Sequence, residues 1–148
     1  MSIGDKLFNR SLQYSQIYRS ICGSGVREVL ANIGQEIPDL VIHSVKTGKR
    51  CFDWTIPKEW SISGASLIDP SGREVLNFSD NPLCVVSHST PVSLKIPLHE
   101  LKRKIHVNHD LPLATPYATS YYKEDWGLCM PAKTFASLEE GDYKVTID

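Results

Sequence analysis

The sequence predicts an α+β protein in which N-terminal helices are followed by a β-rich, mostly antiparallel region. Up to Pro38, apolar residues recur at spacings of three and four, which is the period of an amphipathic helix. Beyond Pro38, short runs of alternating apolar residues are separated by Gly, Pro, Asn and Asp, a pattern typical of strands and turns. We therefore divide the 148 residues into a helical segment, residues 1–39, and a β-rich segment, residues 40–148.

Two helices separated by a glycine break are predicted in the helical segment. The first carries an apolar stripe, which is formed by Ile3, Leu7, Phe8 and Leu12. The second follows Gly23-Ser24-Gly25, with Ser24 as its expected N-cap, and it ends near Gly34 and Pro38. The apolar face of this second helix is expected to pack against another part of the protein.

A first β-hairpin is predicted after the helices. Residues 40–45 and 50–56 have strand character, and the turn between them, Thr47-Gly48-Lys49, contains a glycine. Because side chains alternate across a strand, three apolar side chains of the second strand are expected on one face: Phe52, Trp54 and Ile56.

A second hairpin is predicted from residues 62–68 and 74–78, which are joined by the turn sequence Asp69-Pro70-Ser71-Gly72. Another strand is expected at residues 83–88. The prolines that follow it restrict the next segment to an edge strand or a loop, because proline cannot donate a ladder hydrogen bond. Short strands therefore dominate the middle of the chain.

The last third of the chain is predicted to contain a short helix, a long ordered loop and a final strand. Pro97 fits the first helical position, and the basic residues 102–104 near the helix end are expected to form a solvated face. Residues 106–130 contain prolines and many aromatic residues without a clear period, which indicates an ordered loop. After a helical turn near Phe135, alternating residues predict the final strand: Tyr143, Val145 and Ile147.

Composition and charge argue against several classes of protein. Sixteen basic and seventeen acidic residues give a net charge of −1, so we expect no nucleic-acid or membrane partner. The first residues form no apolar leader, and the longest uninterrupted aliphatic and cysteine run is residues 83–86, so a cytoplasmic location is expected. The four cysteines lack CxxC spacing and are expected to be reduced and structural.

One group of residues combines apolar surface with a hydrogen-bonding tip: Tyr117, Tyr121, Tyr122, Asp125 and Trp126. Such residues suit a ligand pocket or an interface, and they suit the edge of a core equally well. A second group has the residue types of metal ligands but supplies at most two convergent ones, so no metal is expected: His99, His106, His109 and Asp110. No nucleotide-binding loop or serine-nucleophile motif is present in the sequence.

Four phrases of the sequence carry a family resemblance. They are Arg19-Ser20-Ile21-x-Gly23-x-Gly25-Val26-Arg27, Phe52-Asp53-Trp54-Thr55-Ile56-Pro57-Lys58-Glu59-Trp60, Pro116-Tyr117-x-Thr119-Ser120-Tyr121-Tyr122 and Asp125-Trp126-Gly127-x-Cys129. With these phrases in this order, the chain resembles the front part of a bacterial family of aminopeptidase-like proteins. These are relatives of the zinc-dependent peptidases and are often linked to surface-polysaccharide biosynthesis.

The resemblance implies the front part of an α/β zinc-aminopeptidase-like fold, with a mainly β domain inserted early in the core. In complete relatives, zinc lowers the pKa of a bound water, and a carboxylate takes the proton of that water as it attacks an amide carbonyl. The resemblance places the zinc ligands beyond Asp148, so this chain alone is expected to bind no zinc. The implied partner is the missing C-terminal core of the same protein.

Two functions stay open, and with them the question whether the chain is an enzyme. The first is an N-terminal fragment of an aminopeptidase-like hydrolase, inactive alone, with a pocket for a peptide-like or carbohydrate-linked small molecule. Its candidate pocket residues are Arg19, Ser20, Tyr121, Tyr122, Asp125 and Trp126. The alternative is a self-standing binding module for a carbohydrate precursor or a protein partner. A purely structural fragment would instead leave the final strand and the first helical stripe without partners.

Overall fold

The computed structural model of the protein describes residues 2–148, which form two compact units. The first unit ends at Ser61, and the second runs from Ile62 to Asp148. The longest helices lie in the first unit and a four-stranded antiparallel sheet lies in the second, which confirms the predicted α+β class. The division predicted after residue 39 stays a prediction. No helix within residues 2–148 has the length and apolar character needed to cross a bilayer.

Both predicted N-terminal helices are confirmed: α1 (Ile3–Ser15) and α2 (Ser24–Glu36). A capping box begins α1. The hydroxyl of Ser2 accepts the backbone N–H of Asp5, and the Asp5 carboxylate accepts the backbone N–H of Ser2 at 2.8 Å. The predicted apolar stripe of α1 lies on the surface of the described structure, with its side chains 58–79% exposed.

The predicted N-cap of α2 is wrong. Gly23 is the cap residue, and Ser24 already lies in the helix. Gly23 has φ +97°, which glycine adopts without strain, and a Cβ atom at this position would collide with the carbonyl oxygen of Trp60. The close approach of the Trp60 backbone therefore requires glycine at the cap position. No local sequence pattern indicates this requirement.

The first hairpin is shorter than predicted. Strand β1 (Arg50–Cys51) pairs with β2 (Trp54–Thr55), whereas residues 40–45 contain no strand. Phe52 lies in the tight turn with φ +54° and is 92% exposed, so the predicted shared face with Trp54 and Ile56 is wrong. Alternation predicts which side chains share a face but does not fix where the chain reverses, and here it reverses between residues 51 and 54.

A four-stranded sheet with the order β4-β3-β8-β5 forms the centre of the second unit. Its strands are β3 (Ala65–Ile68), β4 (Glu74–Asn77), β5 (Val92–Pro97) and β8 (Asp142–Ile147). The predicted second hairpin and final strand are confirmed, and β5, which follows Pro91 and ends at Pro97, is an edge strand, one of the two roles predicted for this segment. Strand β8 pairs with both β3 and β5, so the final strand does not lack partners as it would in a purely structural fragment.

Alternation along β8 places its apolar side chains in the core. Tyr143, Val145 and Ile147 are buried, while Asp142 and Lys144 are exposed. The same core contains fully buried side chains from neighbouring strands, a short helix and a loop, including Leu67, Leu98, Leu101, Leu128 and Met130. The sheet is therefore one wall of a packed interior that belongs to the second unit.

Two further predictions need correction. Residues 83–88 do not form a strand, because the side chain of Asn81 accepts the N–H of Leu83 at 3.0 Å and starts a 3₁₀ turn at Pro82–Cys84. Pro97 is the N-cap of α3 (Leu98–Leu101) rather than its first residue, because it still belongs to β5. A 3₁₀ turn, Lys102–Lys104, extends α3 toward the loop that follows.

Short elements complete the second unit. Strands β6 (Ile105–His106) and β7 (Leu128–Cys129) pair in parallel, and α4 (Ala132–Ala136) lies at the predicted helical turn. The cysteines of residues 2–148 are all free thiols. Burial raises the pKa of Cys84 to about 12 and that of Cys129 to about 11, so both stay protonated and unreactive at neutral pH.

Candidate functional site

A cavity of about 310 Å³ lies in the second unit, and four of the six predicted pocket residues line it. These are Tyr121, Tyr122, Asp125 and Trp126. The remaining walls are formed by Val86, His106, Thr119, Ser120 and Lys123. The predicted aromatic and acidic residues therefore form one site, although the sequence alone left core packing equally open.

Backbone pairing with residues 85–89 holds the loop that carries these side chains. The N–H of Ser87 donates to the carbonyl of Ala118 at 2.8 Å, and the N–H of Ser120 donates back to the carbonyl of Ser87 at 2.9 Å. The buried hydroxyl of Ser89 donates to the carbonyl of Val86 at 2.6 Å and accepts the N–H of Gly127 at 3.2 Å. Both ends of the loop are thus tied to the same short segment.

Asp125 is the electrostatic centre of the cavity. Its carboxylate accepts hydrogen bonds from Lys104 Nζ at 2.5 Å and from the N–H of Trp126 at 2.9 Å, and Lys123 Nζ lies 3.4 Å away. The Lys104 hydrogen bond, followed by the Trp126 N–H, lowers the pKa of Asp125 to about 2. The carboxylate is therefore ionised at neutral pH.

Lys104 does not fit the predicted solvated face of residues 102–104. Its side chain is 32% exposed, and its ammonium group lies 5.4 Å from the ring centroid of Trp126, within cation–π range. The prediction is wrong for this residue because α3 ends in a 3₁₀ turn that directs Lys104 toward the loop. Lys104 consequently fixes both Asp125 and Trp126.

Three aromatic rings form a chain of edge-to-face contacts at the cavity. The rings of His88 and Tyr121 have centroids 5.0 Å apart, and those of Tyr121 and Tyr122 are 4.8 Å apart, with interplanar angles of 82° and 89°. His88 has φ +69°, a left-handed conformation that is uncommon for a residue other than glycine. Burial lowers the pKa of His88, which favours its neutral form.

Sequence reasoning missed His88 and Lys123 as parts of this site. His88 lies more than thirty residues before the tyrosines, and only the pairing of Ser87 with Thr119 brings it close to them. Lys123 stands between two selected residues, and its charge beside Asp125 was the available signal.

Arg19 and Ser20, the other two predicted pocket residues, belong to the first unit and are not among the residues that line this cavity. Arg19 Nη1 donates to the carbonyl of Tyr14 and, at 3.3 Å, to that of Ile17. This guanidinium group therefore helps to close the C-terminal end of α1, where helix carbonyls lack intrahelical partners. A pocket role for either residue stays a prediction.

The side chains with metal-ligand chemistry are dispersed. Within the part of the chain that the structure describes, no group of three or more His, Cys, Asp or Glu side chains could hold a metal ion. His106 lines the cavity, and His99 Nε2 lies 3.7 Å from a carboxylate oxygen of Glu100. Residues 2–148 thus do not fit the zinc site that the family resemblance implies for complete relatives.

Comparison with known proteins covers almost the whole chain. Residues 59–148, which include every residue of the cavity, match the family model described as "Domain of unknown function (DUF2172)". A Clostridium acetobutylicum protein named "Putative polysaccharide biosynthesis protein with aminopeptidase-like domain" is 42% identical over 145 residues, which are 98% of this chain and 33% of that protein.

The chain is also similar to a solved structure. The crystal structure described as that of a "putative peptidase" from Clostridium acetobutylicum has a TM-score of 0.91 and 42% sequence identity to this chain. The match covers 98% of this chain and 34% of that one. The chain therefore spans about one third of the length of the relatives it matches.

Proposed function

Because this chain belongs to the DUF2172 family, we propose that it is the N-terminal, non-catalytic portion of an aminopeptidase-like hydrolase. One observation carries the proposal. Nearly the entire chain aligns at 42% identity with one third of a relative whose name includes an aminopeptidase-like domain. Two thirds of such a protein would then hold the residues that cleave a bond.

In a complete protein, bound zinc would supply an activated water for amide hydrolysis. The residues of this chain would contribute structure and recognition, since their dispersed carboxylates, thiols and imidazoles do not form a metal site within residues 2–148. The apolar stripe of α1 supports a partner role for the missing C-terminal core, because four large side chains there are more than half exposed: Ile3, Leu7, Phe8 and Leu12. We also propose a cytoplasmic location and a role in the biosynthesis of a surface polysaccharide; the name of the 42% identical relative supports the second part.

A self-standing binding module is the second candidate function. The cavity favours it, because all the residues that line it and the backbone hydrogen bonds described above for its tyrosine-rich loop belong to the second unit. The two functions differ in what the 148 residues do alone: a fragment needs the remaining core, whereas a module binds its ligand without it.

An activity assay of the 148-residue chain alone tests whether this portion is non-catalytic. The 148-residue chain and the complete Clostridium acetobutylicum relative are purified in parallel, assayed with aminoacyl p-nitroanilides, and analysed for zinc by mass spectrometry. We expect stoichiometric zinc and turnover in the complete relative only. Turnover and stoichiometric zinc in the 148 residues would refute the proposal, and a zinc-bound relative that cleaves no amide substrate would refute its hydrolase part.

A further inference from the structure

We propose that the cavity of the second unit binds a neutral pyranose, that is, a sugar ring without phosphate or carboxylate groups. The proposal assigns a class of ligand to the cavity. It does not depend on whether a longer protein that contains this chain is a hydrolase. It follows from four properties of the cavity: its size, its exposed aromatic ring, its fixed acceptor and the pairing of its cations.

The size of the cavity suits one small ring. Its volume of about 310 Å³ lies at the lower end of the roughly 300–1,000 Å³ that is typical of small-molecule pockets. A single pyranose with its hydroxyl groups fits such a space, whereas an extended peptide or a nucleic-acid strand would lie mostly outside it.

The exposed ring of Tyr122 provides a stacking surface. Tyr122 is 83% exposed although it lines the cavity, and its ring is held by the edge-to-face contact with Tyr121, which in turn contacts His88. An aromatic face carries partial negative charge, and the C–H groups on one face of a pyranose carry partial positive charge. The contact with Tyr121 restricts the Tyr122 ring on one side, which reduces the rotamer freedom lost when a sugar stacks on it.

Asp125 provides a fixed acceptor for sugar hydroxyl groups. An ionised carboxylate only accepts hydrogen bonds, and its two oxygens together offer about four acceptor positions. Lys104, Lys123 and the N–H of Trp126 occupy part of this capacity and fix the orientation of the carboxylate. Thr119 and Ser120 line the same cavity, and their hydroxyls donate to the carbonyl of Ser87 at 3.3 Å, so each presents its oxygen as a further acceptor.

The pairing of the lysines disfavours an anionic ligand. Both ammonium groups lie close to the Asp125 carboxylate, at 2.5 Å and 3.4 Å. A phosphate would have to compete with this carboxylate for both lysines, so neither ammonium group offers an unpaired cation. A neutral ligand with many hydroxyl donors meets no such competition, which is why we assign a sugar rather than a phosphorylated compound.

Nuclear magnetic resonance titration of the ¹⁵N-labelled chain tests the assignment. The probes are methyl α-D-glucopyranoside, methyl α-D-galactopyranoside and methyl N-acetyl-β-D-glucosaminide, with inorganic phosphate and the dipeptide Leu-Gly as competitors from other classes. We expect saturable shifts of the backbone amides of residues 119–127 with at least one glycoside, and none with phosphate or dipeptide. Saturation by phosphate or dipeptide alone, or by no probe, would overturn the assignment.

Matched tyrosine variants separate stacking from a general change in the loop. Tyr122→Ala should weaken glycoside binding about five- to tenfold, the loss expected for one aromatic contact. Tyr117→Ala removes another exposed tyrosine of the same loop that does not line the cavity, and it should leave the affinity unchanged. Equal effects of the two variants at equal melting temperature would contradict the stacking role.

A charge variant tests the acceptor and the exclusion of anions together. In Asp125→Asn the two lysines lose their anionic partner, so glycoside affinity should fall while phosphate begins to shift the same amides. Unchanged glycoside affinity in this variant would show that Asp125 does not contact the sugar.

Discussion

Asp125 and Gly127 show, at the scale of single residues, how the cavity obtains its properties from distant neighbours. The pKa of Asp125 is lowered because Lys104, twenty-one positions earlier, donates a hydrogen bond to its carboxylate. Gly127 is required because the chain passes close to Val86 and Lys104: a Cβ atom would lie 2.8 Å from Val86 Cγ2 and 3.0 Å from the Lys104 carbonyl oxygen. Its residue type made Asp125 a candidate pocket residue, and the groups packed around its carboxylate determine its pKa and orientation.

The ion pair of Asp125 predicts a specific pH dependence of stability. The folded-state pKa of this carboxyl is lowered from 3.8 to about 2, so the pair stabilises the folded state fully above the ordinary value and loses this effect as the pH falls through about 2. At neutral pH the melting temperature of the wild type should exceed those of Asp125→Asn and Lys104→Met, and both differences should disappear in acid. Differences in melting temperature that persist at pH values below the lowered pKa would show that the ion pair does not cause them.

Substitution of Gly127 tests the close packing beneath the loop. Gly127→Ala should lower the free energy of unfolding by about 1–3 kcal/mol, because the backbone oxygen of Lys104 cannot move away as a flexible side chain could. Gly64→Ala is the matched control, since a Cβ atom there meets no atom within 4 Å, and it should change stability by less than about 0.5 kcal/mol. Urea unfolding measures both. Equal effects would mean that the loop relaxes around the added methyl group.

At the scale of elements, the two units differ in how their helices and strands are stabilised. Helix α1 buries one side chain, Tyr14, and depends on its capping box. Strand β8 is paired along both edges and buries every second side chain. Local signals therefore matter most for α1, and tertiary pairing matters most for β8.

The capping box of α1 gives a prediction for this element. Ser2→Ala removes the hydroxyl that accepts the N–H of Asp5, and such a loss costs about 0.5–2 kcal/mol of helix stability. Hydrogen exchange should therefore become faster in the first turns of α1 and stay unchanged in β8. Ser11→Ala, at an exposed position within the same helix, should not speed exchange, because alanine favours helix. Similar exchange rates in the two variants would show that the cap contributes little.

At the scale of the whole molecule, the interior is unevenly distributed between the units. Among residues 2–148, all of the largest fully buried side chains belong to the second unit. The family match begins at residue 59, close to the start of that unit at Ile62. The second unit thus has its own hydrophobic core, as an independently folding domain requires.

This distribution predicts separate stabilities. Native-state hydrogen exchange of the whole chain should show slow, cooperative exchange in β3, β5 and β8, and faster exchange in α1 and α2. A shortened chain of residues 62–148 should retain the melting temperature of the slow-exchanging unit. Uniform protection across both units, or an unfolded 62–148 fragment, would contradict the independence of the second unit.

The sequence by itself determined the elements whose signals are local: the periods of α1, α2 and β8, and the hairpin β3–β4 with its turn. It also selected Tyr121, Tyr122, Asp125 and Trp126 by their chemistry. Only the tertiary structure decided the cap at Gly23 and the assembly of the cavity, whose lining residues Tyr121 and Asp125 are held by His88 and Lys104. The physical reason is the range of the contacts, because periodicity arises from residues two to four positions apart, whereas the cavity is built by hydrogen bonds and ring contacts between segments twenty or more positions apart.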